Sequence, residues 1–133
     1  MIPAFDEHGY LPPGVYAATL EEIAERFGRH TPIRRDQMDS LRWLVDLARR
    51  AGVQRLVVNG SFTTSVREPN DVDCVLLMGS DYPQDAAAEQ ELLAGLPFVE
   101  IQLVRQARFD LLVQSFFATD RHWIPKGMVE VLL

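Results

Sequence analysis

The chain has 133 residues, 47% of them apolar and 24% charged, with a formal net charge of -6. That length suits one domain able to bury a single core without a disulfide or structural metal, and the lone Cys74 excludes both an internal disulfide and a cysteine metal cluster. The acidic balance argues against general DNA binding, which needs a basic face.

Residues 1–18 are punctuated by Pro3, Gly9, Pro12, Pro13 and Gly14 and read as an irregular arm, pinned by Phe5, Tyr10, Leu11 and Tyr16. Their opening lacks the basic start and apolar stretch of a signal peptide. No apolar run approaches the ~20 residues of a membrane span, so the expected location is cytoplasmic. Thr19 and Glu22 form a capping-box pattern for a helix over Leu20 to Phe27, stopped at Gly28. Thr31-Pro32 opens a longer helix that runs to Ala51 and ends at Gly52, with Met38, Leu41, Leu44, Val45 and Ala48 as its apolar face. Arg34, Arg35, Arg42, Arg49 and Arg50 fall mostly off that face.

Val53 to Asn59 reads as a buried strand, Gly60 to Asn70 as a connection, and Val72 to Met78 as a second apolar strand. Asp85 caps a helix through Leu93, and Phe98 to Val104 is a third strand. Residues 108–118 are helix-like, and Met128 to Leu132 is a final strand expected at an edge. The sum is one α/β (α+β) domain over 1–133, with a mixed sheet of about four strands flanked by helices.

The residues that carry chemistry cluster in Gly60-Ser61 and Asp71-Val72-Asp73. Strand side chains alternate, so Asp71 and Asp73 point the same way. An acid inside the apolar run that follows is costly unless it is paired or bound to a cation. A hard divalent cation relieves both the burial and the repulsion. Gly60 at a strand end lets a phosphate approach the backbone, with the Ser61 hydroxyl and the following N–H groups to hold it. An Asx turn, with Asp73 paired to an arginine, is the bland alternative for the acids.

The segment LVVNGSFTTSVREPNDVDCVLLM resembles the nucleotidyltransferase superfamily of DNA polymerase beta: an apolar strand, Gly-Ser, a short connection, then Asp-apolar-Asp opening another strand. The arm DEHGYLPPGVYAATLEEIAERFG and the ending FFATDRHWIPKGMVEVLL resemble a family of small uncharacterised bacterial proteins classed as nucleotidyltransferase-like. The resemblance implies a minimal nucleotidyltransferase fold. It also implies transfer of a nucleoside monophosphate from an NTP to a protein or RNA hydroxyl, with two Mg2+ (or Mn2+) ions about 3.5–4 Å apart. Asp71 and Asp73 would hold both ions, and Glu100, an acid inside the third strand, would complete one site. Gly60, Ser61, Thr63 and Arg67 would contact phosphate.

There are two departures from the superfamily pattern. Glu100 stands where Asp is usual, and the connection after Ser61 lacks an early Arg-Gly. The missing Arg, together with the lack of a base-binding subdomain after the core, motivates a second expectation, a catalytically degenerate module that works through a protein partner in the manner of a toxin–antitoxin pair. A third reading, an unrelated metal-dependent hydrolase using Asp-x-Asp, has the Gly-Ser spacing against it. His8, His30 and His122 show no ligand spacing and read as surface residues. Cys74 faces away from Asp73 and reads as core. Trp43 and Trp123 can stack a base but read first as packing residues. Lys126 precedes the last strand and can reach a phosphate, though a turn is the simpler account. The Arg29–Arg35 cluster reads as a solvated helix start or a docking patch for an acidic partner or RNA end.

Overall fold

Helix starts in the computed structural model, which describes all 133 residues, sit on hydroxyl and carboxylate caps. The Thr19 Oγ1 accepts from the Glu22 N–H at 3.1 Å and the Glu22 carboxylate accepts from the Thr19 N–H at 3.1 Å, opening α1 (Leu20–Phe27). Thr31 accepts from the Arg34 N–H at 3.2 Å and starts α2 (Pro32–Ala51). Gly52, at φ 85°, ends α2 in the left-handed conformation that glycine adopts freely. Asp85 accepts from the Ala87 and Ala88 N–H groups and starts α3 (Ala86–Ala94). The last helix, α4 (Gln106–Leu111), begins before the expected residue 108 and widens into a π turn over Leu112–Phe116, where the Phe117 N–H donates to the Leu112 carbonyl at 2.8 Å.

The strands are β1 (Val15–Ala18), β2 (Val53–Asn59), β3 (Val72–Met78), β4 (Val99–Val104) and β5 (Met128–Val131). They form one mixed five-stranded sheet in the order β1-β5-β2-β3-β4, so the domain is α/β (α+β). β3 pairs antiparallel with β2 and parallel with β4, while β5 pairs antiparallel with β2 and parallel with β1. Two expectations change here. The arm ends in a strand, and β5 is interior, not an edge. VYAA is too short, and too close to Pro12-Pro13-Gly14, to announce a strand by itself. Pairing with β5 makes it one, with the Met128 N–H on the Gly14 carbonyl and the Leu132 N–H on the Ala18 carbonyl, each at 2.9 Å.

Alternation along the strands gives the sheet two buried faces. Leu56, Val58, Cys74, Leu76, Val129 and Val131 face the main core, which includes Leu41, Leu44 and Ala48 of α2. Val57, Val75, Leu77 and Met128 face the other way, onto Phe109 of α4 and Leu112 and Val113 of the π turn. On this second face Arg55 bridges Glu130 at 2.6 and 2.9 Å, its guanidinium 4.9 Å from the Phe109 ring centroid. Continued along β2, β3 and β4, this face ends in Asn59, Asp73 and Glu100. No helix is long and apolar enough to cross a membrane.

Candidate functional site

Strand register builds the site. Asn59 pairs across with Asp73, and Asp73 with Glu100, so one amide and two carboxylates form a row over three neighbouring strands. Paired residues share a face, and that face is the one α4 covers further along. Asp71, exposed, precedes β3 by one residue.

Gly60 ends β2 at φ 80°, and a Cβ there would stand 2.0 Å from the Asp73 Oδ2. Only glycine admits the Asp73 carboxylate in this position. Ser61–Thr63 then forms one 3-10 turn. Its other hydroxyls are used internally: the Thr63 Oγ1 donates to the Gly60 carbonyl at 3.2 Å and the Thr64 Oγ1 to the Ser61 carbonyl at 2.6 Å. Thr63 therefore braces the turn from a buried position, leaving Ser61, half-buried, as the hydroxyl at the corner.

The connection is held from behind by Arg34, which the helical spacing of α2 placed outside the apolar stripe. It is only 4% exposed. Its guanidinium donates to the carbonyls of Phe27, Phe62, Thr64 and Val66, and sits 5.4 Å from the Phe62 ring centroid. Burial lowers its pKa below the ordinary arginine value. Arg34 is thus neither solvated nor free for a partner. Arg67 is exposed and lines a separate cleft of about 500 Å³ with Arg26, His30 and Ser65.

The cation the corner feels is Lys126, in the segment before β5. Asp73 is pushed up to about 6 by burial first, then by the Glu100 charge, by the hydrogen bond that protonated Asp73 donates to Glu100, and by the Asp71 charge; Lys126 opposes these. Lys126 is half-buried, and that burial lowers its pKa, against the raising pull of Asp73 and Asp120.

Two carboxylates crowded on adjacent strands are donors suited to a hard divalent cation. The pair is assembled without a third ligand, because no group of three or more His, Cys, Asp or Glu side chains stands at metal-holding distance. Magnesium commonly takes one or two carboxylates together with substrate phosphates, so the donor set fits Mg2+ or Mn2+ with exposed Asp71 or a phosphate completing it. Cys74 lies buried on the opposite face, its thiol pKa raised by that burial.

Asn59 was not legible as a site residue. It is 0% exposed, and neither its amide oxygen nor its amide nitrogen has a partner in the protein. A polar residue ending a strand after Leu56-Val57-Val58 was its only signal. Beyond Glu100 the corner runs into an open cleft of about 1130 Å³, which Gln102 and Lys126 line.

Among known proteins, the model of a family described as of unknown function (DUF6932) matches residues 3–132. No curated protein and no solved structure matches the chain.

Proposed function

The chain belongs to the DUF6932 family, and from its own geometry we propose that it is a metal-dependent nucleotidyltransferase, moving a nucleoside monophosphate from an NTP to a hydroxyl of a protein or RNA. The observation that carries this reading is the Asp73 carboxylate lying over Gly60 with Glu100 beside it on the next strand. Beside that carboxylate, the Ser61 hydroxyl and the N–H groups of its turn can hold a phosphate.

Mg2+ or Mn2+, held by Asp73 and Glu100 and completed by Asp71 or a substrate phosphate, would neutralise phosphate charge and acidify the acceptor hydroxyl. In the transfer, the acceptor oxygen bonds to the α-phosphorus. The bond from that phosphorus to the oxygen bridging toward the β-phosphate breaks, and pyrophosphate leaves with the electron pair. The hydroxyl proton passes to a carboxylate of the corner. Lys126 offsets the charge that gathers on the departing pyrophosphate.

Calorimetric titration of Mg2+ or Mn2+ with each of the four ribonucleoside triphosphates tests the reading. Triphosphate binding at least tenfold tighter with the metal than in EDTA is expected, with that gain lost in Asp71→Asn/Asp73→Asn. Binding no tighter with the metal than in EDTA, or a metal gain retained in the double variant, sinks it.

A second reading is favoured by Lys126. Its ammonium gives Asp73 an internal counter-charge, so the corner can stand without a metal and the protein can work as a partner-binding module of toxin–antitoxin type. A stoichiometric protein partner retained by the double variant supports the module. A partner or RNA labelled from an α-labelled triphosphate only by the intact protein supports the enzyme.

A further inference from the structure

The cleft beside the corner has features that folding does not explain. It lies between the π turn and residues 119–125. Phe116 is 69% exposed at its side and Trp123 is 83% exposed. Trp123 also holds φ 66°, a left-handed backbone that costs an L-residue about 1–2 kcal/mol. An exposed ring buries too little surface to offset that cost.

The loop is nevertheless firmly built. The Asp120 carboxylate accepts from the His122 N–H at 2.7 Å, the Ile124 N–H at 3.0 Å and the Tyr10 hydroxyl at 2.7 Å. The Trp123 N–H donates to the Asp120 carbonyl at 3.1 Å, and Thr119 bridges Pro125. The segment therefore holds an indole out to solvent at the mouth of a cleft.

Charge points to what the cleft takes. In a chain of net charge -6, Arg108, Arg121 and Lys126 gather on its walls. The ion pairs of the protein use other cations. Asp120, the acid among them, is already committed to three donors. An aromatic platform beside cations outside any salt bridge suits a ligand that is flat at one end and anionic at the other. Gln102 and Lys126 make the cleft continuous with the carboxylate row, since Gln102 follows Glu100 on the same face of β4.

We propose that this cleft is the nucleotide site: the base packs on the Trp123 ring, and the phosphates run past Arg121 and Lys126 to Gly60, Ser61 and the acids. The assignment rests on the transferase reading for the identity of the ligand, but it can fail or stand separately.

Trp43 and Trp123 are the only tryptophans, and Trp43 lies on α2, across the sheet from the cleft. Trp43→Phe therefore leaves Trp123 as the sole reporter. In EDTA, with no metal, titration with ATP, GTP, CTP and UTP should give saturable quenching of Trp123 by at least one of them. By calorimetry Trp123→Ala should weaken that nucleotide about tenfold or more, as loss of base stacking does, and Trp123→Phe should restore most of it. Mn2+ binding without nucleotide should be the same in all three proteins. Quenching by none of the four, or wild-type affinity in Trp123→Ala, overturns the assignment. Quenching by a short RNA oligonucleotide but by no mononucleotide also overturns it and gives the cleft to the acceptor. If nucleotide quenches but Mn2+ does not tighten its binding, or tightens it equally in Asp71→Asn/Asp73→Asn, the cleft stands and the transferase reading falls.

Discussion

At the end of β3 the Asp73 carboxylate has burial, Glu100 and Asp71 working against its charge, and only Lys126 working for it. Its folded pKa, about 6, lies above the ordinary 3.8. The folded state therefore binds more protons than the unfolded state between those values, and stability falls as pH rises through that window. Above it the ionised acid remains a standing cost. Asp73→Asn should raise stability at pH 7.5 by about 1–2 kcal/mol, with the gain vanishing near pH 4, as read from thermal melts across pH. Mn2+ should raise the melting temperature of the wild type at pH 7.5 and leave the variant unmoved. Asp73 was legible because an acid in an apolar strand, after Gly-Ser, is an anomaly of local sequence. Asn59 was not, because its place beside Asp73 comes from pairing between strands, a contact no window of neighbouring residues contains.

The connection between β2 and β3 behaves as a clamped element. Five N–H donors of one guanidinium hold the carbonyls of Phe62, Thr64 and Val66 against that of Phe27. Arg34→Met should cost about 2–4 kcal/mol in urea unfolding, because it strands buried acceptors. Arg34→Lys should recover little, since a point charge cannot fill a planar fork. Both should also weaken Mn2+ binding at Asp73, because the turn that begins at Gly60 is no longer fixed. The caps of α1, α2 and α3 could be read from sequence because each is a hydroxyl or carboxylate acting on residues immediately after it. The burial of Arg34 could not, because its partners come from a loop far along the chain. β1 was hidden for the same reason, being a strand only by virtue of β5.

On the scale of the whole molecule, the first eighteen residues close the fold and do more than decorate it. Leu11 and Ala18 are fully buried, the Gly127 N–H donates to the Leu11 carbonyl at 2.8 Å, and β1 covers the β5 edge. Removing residues 1–18 should lower stability by about 3 kcal/mol or more, from the burial of Leu11 alone plus an unpaired strand edge. In a circular-dichroism melt that is a drop of roughly 10 °C or more, and size exclusion should show association through the bared edge. The same topology sets an order of assembly. β2, β3 and β4 follow one another along the chain and adjoin in the sheet, so the carboxylate row can form from neighbours. Lys126, Trp123 and the Asp120 loop come into place only when β5 docks against β1, near the other end of the sequence. Contacts between such distant segments form slowly, since loop closure comes first. During synthesis the acids would therefore stand assembled while the cationic wall was still missing, and competence to hold a nucleotide would arrive as a single late event.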